Sequence, residues 1–475
     1  MLFYTFDFAI FFGVVYAGAW LLNRRAAVWK LWMLAASYYF YAYWDWRFCF
    51  LLAASTLIAH LGATGISLAG TDRVRRAWLV GSVVGLLGLL GYFKYYSFFA
   101  VSVDNVLRGV GLGNAVPLLT PTLPIAISFF TFMAVSYVVD VYRGQLKPAT
   151  PIDLAVYLSF FPHLVAGPIV RGTELLPQLR RPRDAQSIDF ARASTLIMSG
   201  LFKKLVISSY MNNNIVMPVF GSPSAHSALE VLFAVWGYAV EIYCDFSGYT
   251  DIAIGIALLL GIKFPVNFDS PYTARSLQDF WRRWHITLSR WLRDYLYIPL
   301  GGNRGSTLLT SRNIMITMVL GGLWHGANWT FLAWGALHGA GQVTGHLRRT
   351  YRERQGFTPE SDTALAKVRQ RFLTFQYVSL GWLFFNASSM SSAFDMLGRL
   401  LTGWGQPSPL VTPLLMVTIA AVIAVQYVPR RVVDNAVAAF GRAGGPVQVA
   451  ALGLALLCTT TLMPVGIPSF IYYRF

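Results

Sequence analysis

An all-α, polytopic membrane bundle is the fold this sequence predicts, and three observations carry that prediction. Only 12% of the 475 residues are Asp, Glu, Lys or Arg, while 56% are hydrophobic. An ordinary soluble domain carries about 25% charged residues, so most of this surface faces something other than water. Apolar runs of about 20 residues recur from end to end, each long enough to cross a hydrocarbon core as a helix. Lipid offers no partner to backbone N–H and C=O groups outside a helix or a closed barrel. The third observation excludes the barrel, because the alternating segments of about ten residues that it requires do not occur.

In chain order the expected spans are 6–22, 27–44, 47–69, 77–100, 123–142, 153–170, 193–218, 228–262, 313–345, 372–386, 410–428 and 447–466. At 1.5 Å per residue, 228–262 and 313–345 are too long for one crossing. Breaks are expected there at Asp245-Phe-Ser-Gly248 and Gly321-Gly-Leu-Trp-His-Gly326. The result is about eleven membrane helices, some of them re-entrant. The first run, Phe8 to Leu22, is followed rather than preceded by Arg24 and Arg25, the reverse of a signal peptide's order. It is expected to remain as a span. No internal repeat or low-complexity stretch appears, so residues 1–475 are expected to form a single membrane domain.

The net charge of +17, from 38 Lys and Arg against 21 Asp and Glu, fits cytoplasmic loops that set topology rather than nucleic-acid binding. Arg24, Arg25 and Lys30 follow the first span, Arg73, Arg75 and Arg76 the third, and Arg143 and Lys147 the fifth. The loop 101–122 has only Arg108. The N-terminus is therefore expected outside the cytoplasm, and the basic segments 171–204, 275–312 and 347–371 inside. Cysteine labels at Gly302 and Gly113 are expected on opposite sides. Cys49, Cys244 and Cys458 have no metal or disulfide spacing.

Residues 275–298 are neither loop nor span. On a single helix Leu277, Phe280, Trp281, Trp284, Leu288, Trp291, Leu292 and Tyr295 share an arc of roughly 120°. Arg282, Arg283, Arg290 and Arg293 fall opposite, within roughly 100° of each other. Trp on one face and Arg on the other describe a helix lying in the membrane interface. That role accounts for the arginines, but not for His285 at the edge of the apolar arc.

Ionisable groups inside a membrane are functional hypotheses by default. His60 reads as a hydrogen-bonded core histidine, and His226 and His346 as loop or interface residues. His163 lies where Pro162, Gly167 and Pro168 break a helix, which is tolerated only against protein or a water-filled cavity. His325 follows Gly321, Gly322 and Trp324 and precedes Gly326 and Asn328 in an otherwise apolar stretch. A neutral imidazole there suits a general base toward a hydroxyl; the competing reading is a structural histidine. The Gly301-Gly-Asn-Arg-Gly305 turn, with Asn303 and Arg304, is a weaker candidate for holding a phosphate. Asp245, in the expected break, is a further candidate for contacting substrate. No metal site is expected.

Five motifs, in order, resemble the membrane-bound O-acyltransferase (MBOAT) family, most closely its bacterial branch of alginate O-acetylation. They are Phe-Pro-His-Leu-Val-Ala-Gly-Pro-Ile (161–169), Tyr-Cys-Asp-Phe-Ser-Gly-Tyr-Thr-Asp (243–251), Phe-Trp-Arg-Arg-Trp-His-Ile-Thr-Leu-Ser (280–289), Tyr-Ile-Pro-Leu-Gly-Gly-Asn-Arg (297–304) and Gly-Gly-Leu-Trp-His-Gly-Ala (321–327). The resemblance is dense over 155–345 and looser elsewhere. It implies a helical bundle around a tunnel, with His325 as the principal active-site histidine, His285 as the second polar position and His338 in a lesser motif. It further implies acetyl-CoA as a cytoplasmic acyl donor, with no permanently bound cofactor. A periplasmic or membrane-anchored partner, such as an SGNH-type acetyltransferase or polysaccharide machinery, would then modify an extracytoplasmic polysaccharide at a bacterial inner membrane. Trp324, Asn328, Asn303, Asp245, Arg282 and Arg304 are the expected substrate-contacting residues, the arginines through the CoA phosphates. Membrane lipid is an expected partner and nucleic acid is not. D-alanyl, peptidoglycan or lipid acyl transfer is the alternative within the family, and a non-catalytic transporter of an acyl carrier the alternative outside it.

Overall fold

A computed structural model describes residues 1–112, 117–181, 183–357, 363–468 and 470, and among them every regular element is helical. The chain divides into two compact units, Met1–Ala193 with Ala253–Pro265 and Ser194–Ile252 with Val266–Phe475. The motif region 155–345 is shared between them.

The first unit holds α1 (Phe6–Leu21), α2 (Ala26–Ala42), α3 (Phe48–Leu68), α4 (Asp72–Gly109), α5 (Ile127–Tyr142), α6 (Pro151–Ser159) and α7 (Gly172–Leu179). Side-chain caps fix several starts: the hydroxyls of Thr5, Thr71 and Thr150 accept from the amides of Phe8, Val74 and Asp153 and so satisfy donors that a helix leaves open. α3, α4 and α5 pack on one another, and α5 is buried along almost its whole length. α4 corrects the expected span 77–100 and the loop after it. Its cap at Thr71 lies ahead of the apolar run, and no proline interrupts 72–109. The helix therefore continues through one wide π-type turn at Gly91–Tyr95 to Gly109. Gly113, the proposed labelling position, lies outside the described residues. His60, on α3, is half-buried rather than fully in the core, and its Nδ1 has no hydrogen-bond partner among the described residues. At the expected break His163 is fully buried, with Nε2 3.0 Å from the Tyr157 carbonyl.

The second unit is built around α8 (Phe190–Phe202) and α9 (Ala228–Leu259), each of which begins or ends in the first. It continues with α10 (Leu277–Arg283), α11 (Ile286–Leu292), α12 (Thr307–His325), α13 (Trp329–Arg354), α14 (Ala364–Asn386), α15 (Met390–Thr402), α16 (Pro413–Val425), α17 (Arg430–Arg442) and α18 (Gly445–Leu462). The expected break at 245–248 is absent: α9 runs unbroken for 32 residues. A crossing length limits a helix surrounded by lipid, whereas 83% of the most apolar window of α9 is buried inside protein. Its acidic groups are met where they stand. Asp245 pairs with Lys204, both buried, Asp251 pairs with Lys203, and Glu241 accepts from Asn212 at 2.9 Å. Gly248 is needed for contact rather than for a break, because a Cβ there would lie 2.8 Å from the Gly200 carbonyl oxygen.

Four helices are long and apolar enough to cross a membrane: α3, α4, α9 and α18. A fifth span is present if α16 and α17, bent by 91°, count as one, while α1 and α5 are shorter apolar helices. These are counts over the described residues, and the expected eleven is not reached on length and composition.

Candidate active site

The site grows from the hairpin of α12 and α13. Glycines bring these helices together: a Cβ on Gly322 would sit 2.2 Å from the Phe331 carbonyl oxygen, and one on Gly335 2.5 Å from that of Met318. The expected break occurs just past the motif's histidine. α12 ends at His325, Gly326 is extended, and α13 starts at Trp329 behind an Asn328 cap. His325 is 3% exposed. Its ring lies 5.0 Å, centroid to centroid, from each of Trp324, Trp334 and Phe385.

His285 comes to the same cluster from the amphipathic segment. That segment is not the single helix expected, because it breaks at Trp284 and His285 into α10 and α11. The apolar arc survives the break, with Phe280, Trp284, Leu288, Trp291 and Leu292 all buried. The cause is local: His285 takes a left-handed backbone (φ 41, ψ 55) that costs about 1–3 kcal/mol outside glycine and persists only when its surroundings hold it. Asn267 does the holding. Its carbonyl accepts from the Ile286 amide at 2.9 Å. Its side-chain Oδ1 accepts from the Thr287 amide at 3.1 Å and the Thr287 hydroxyl at 2.9 Å, and lies 3.2 Å from His285 Nδ1. His285 is fully buried, edge-on to Phe246 at 4.7 Å and 5.9 Å from Trp324. Burial pushes its imidazole down to about 3, so it is neutral at working pH. Trp324 thus touches both His285 and His325. Trp334 in turn touches His325 and the fully buried His338, the latter at 4.8 Å.

A cavity of about 510 Å³ opens beside this cluster, with Arg282, Arg290, Arg293 and Arg349 among its lining residues. Trp281, also in its wall, lies 5.3 Å from His338 and 5.6 Å from Trp334. One end of the aromatic cluster therefore meets a basic recess.

A family model described as MBOAT, membrane-bound O-acyltransferase family, matches residues 118–386. The chain belongs to this family. It is 40% identical over 400 residues to the probable alginate O-acetylase of Pseudomonas aeruginosa, covering 83% of this chain and 74% of that one. It is 36% identical over 398 residues to the peptidoglycan O-acetyltransferase of Helicobacter pylori, covering 78% and 73%. The teichoic acid D-alanyltransferase of Streptococcus thermophilus is 30% identical over 289 residues, covering 55% and 68%. The protein is an O-acyltransferase of the membrane.

Within this MBOAT chain the predicted site residues divide. His285, Trp324, His325 and Arg282 belong to the cluster or its cavity. Asp245 lies elsewhere, in its ion pair with Lys204. Asn328 caps α13, its Oδ1 accepting from the Thr330 amide at 3.1 Å and its Nδ2 donating to the Ser388 carbonyl at 3.3 Å. Asn303 and Arg304 are exposed in a turn with positive φ at Gly301, Gly302 and Gly305. Asn313 holds that turn by donating to the Gly302 carbonyl at 3.0 Å, and the turn does not line the basic cavity. Sequence reasoning missed Asn267, Phe246, Trp334, Phe385 and Arg349. The early signals among these were Phe246, inside the 243–251 motif, and Trp334, in the Trp-Gly-Ala-Leu-His-Gly stretch that holds His338. Among the described residues no group of three or more His, Cys, Asp or Glu is gathered to hold a metal.

Proposed function

We propose that this enzyme transfers an acetyl group from cytoplasmic acetyl-CoA toward a hydroxyl of an extracytoplasmic glycan, with His325 as the general base. The observation that carries this reading is the continuity from the arginine-lined cavity through Trp281 and Trp334 to His325. Arg282, Arg290, Arg293 and Arg349 offer a field that attracts and seats the CoA phosphates. The thioester then reaches the aromatic cluster, where water is excluded. The acceptor oxygen attacks the thioester carbonyl as His325 takes its proton. The C–S bond breaks, and the proton passes to the departing thiolate. A base so placed contributes about 10²–10⁴-fold.

Two of the relatives are named for O-acetylation of a glycan, alginate or peptidoglycan, which supports transfer of an acetyl group to a glycan over transfer of D-alanine. The family's tunnel, about eleven membrane helices, the inner membrane, an N-terminus outside the cytoplasm and an SGNH-type or polysaccharide-synthesis partner belong to the same proposal. The basic loops support that orientation. Asp245, Asn328, Asn303 and Arg304 are left out of substrate contact, because their positions give them structural or surface roles.

The test is single-turnover release of CoA thiol from acetyl-CoA by purified protein. Wild type should release it, and folded His325→Ala should not. Release near the wild-type rate in His325→Ala would defeat the assignment.

A further inference from the structure

Two hydrogen-bond donors and a ring nitrogen of His285 converge on one oxygen of Asn267, and their chemistry fixes where the imidazole proton sits. The Thr287 amide can only donate, and it points at the Asn267 side chain from 3.1 Å. The atom facing it is therefore the amide oxygen, not the nitrogen. The same oxygen lies 3.2 Å from His285 Nδ1. A carboxamide oxygen only accepts, so Nδ1 carries the hydrogen. A neutral imidazole has one N–H, which leaves Nε2 as a bare lone pair. That atom is buried and has no hydrogen-bond partner among the described residues. Asn267 and His285 are 1% and 0% exposed, so water does not compete for this contact.

We propose that Asn267 is a positioning residue of the acyl-transfer site: its side-chain carbonyl holds His285 as the Nδ1–H tautomer, with Nε2 presenting a lone pair to a hydroxyl of the acyl acceptor. The proposal rests on His285 belonging to the site, as the preceding reading has it, and adds the direction of its hydrogen bond. With Nε2 bare, His285 accepts from an acceptor hydroxyl and cannot donate to the thioester carbonyl. It is thus excluded from stabilising the oxyanion in its neutral form. The other tautomer would have the opposite role. Asn267 also clamps the left-handed backbone of His285 through the neighbouring amides of Ile286 and Thr287, so one residue sets both the ring's direction and its proton.

The experiment uses full-length protein labelled with ¹⁵N-histidine, with the His285 signals assigned by their loss in His285→Gln. In wild type Nδ1 should give a protonated, pyrrole-type shift and Nε2 an unprotonated, pyridine-type one. In Asn267→Ala the two forms should mix. The rate of CoA release from acetyl-CoA should fall at least ten-fold, with KM changing less than two-fold. Asn267→Asp keeps an oxygen in place for all three donors, so it should retain the tautomer and recover most of the rate. An Nε2–H tautomer in wild type overturns the proposal even if Asn267→Ala fails to fold. So does an Asn267→Ala protein with unchanged tautomer and rate. If His285→Gln instead turns over like wild type, His285's place in the site fails while the tautomer assignment stands.

Discussion

Replacing Gly322 by alanine tests how tightly the position of His325 depends on helix contact. The added Cβ would lie 2.2 Å from the Phe331 carbonyl oxygen and 3.2 Å from both the Gly335 Cα and amide nitrogen. The first distance is more than 1 Å short of ordinary van der Waals contact. All three of these neighbours are backbone atoms, so no side chain can swing aside and α12 must move from α13 as a body. Overpacking of this kind costs about 1–3 kcal/mol. His325 lies less than one turn beyond Gly322 on the same helix and moves with it. A misplacement of about 1 Å at a reacting group costs on the order of 10²-fold in rate. Gly322→Ala should therefore stay folded in detergent with a modest loss of thermal stability, while single-turnover CoA release falls about 100-fold. Gly88→Ala on α4 is the control, since nothing lies within 4 Å of its Cβ; it should leave the rate unchanged. Wild-type turnover in Gly322→Ala would refute the claim that glycine contact sets the position of the base.

Arg282→Ala and Arg349→Ala should raise KM for acetyl-CoA with little change in kcat, and the effect should shrink as salt screens it; Arg304→Ala, outside the cavity, should do neither. Lys204→Met leaves Asp245 buried without its cation and should destabilise the fold by about 3–5 kcal/mol in thermal or denaturant unfolding. Pairing that change with Asp245→Leu should recover most of the loss, because removing both charges also removes the desolvation penalty.

Much of this arrangement could be read from the sequence, for identifiable physical reasons. Apolar run length located α1, α3, α5, α9 and α18, because burying a helix demands a continuous apolar surface. The glycines around His325 announced close approach, and Gly322 and Gly335 deliver it. The helical phase of 275–298 named Phe280, Trp284, Leu288, Trp291 and Leu292, which are buried, along with Leu277, Trp281 and Tyr295, which are only partly so, and it missed the break at His285. A left-handed residue has no periodicity to betray it. Asn267 was invisible for a related reason: it acts on a residue 18 positions away, through contacts that exist only after folding. The false break in α9 came from measuring its length against a lipid crossing, when most of the helix is buried inside protein and Lys203 and Lys204 meet its carboxylates there. Arg304 was grouped with Arg282 on charge alone, and charge does not say which arginines share a recess.

The pairing of Lys204 with Asp245 also has a consequence for biogenesis. The lysine precedes its partner by 41 residues, and Lys203 precedes Asp251 by 48. At about 5–20 residues per second, a nascent chain presents both ammonium groups to the insertion machinery seconds before either carboxylate is made. A lysine at the centre of a bilayer costs about 2.5–3.5 kcal/mol on insertion scales. Two adjacent ones make the segment holding Lys203 and Lys204 a poor candidate for early release into lipid. The expected order is that this segment stays at the translocon or the interface until α9 emerges, and that the two then pack as a charge-neutral couple. Assembly of this half of the enzyme is thereby ordered by electrostatics, with α9 licensing the helix made before it.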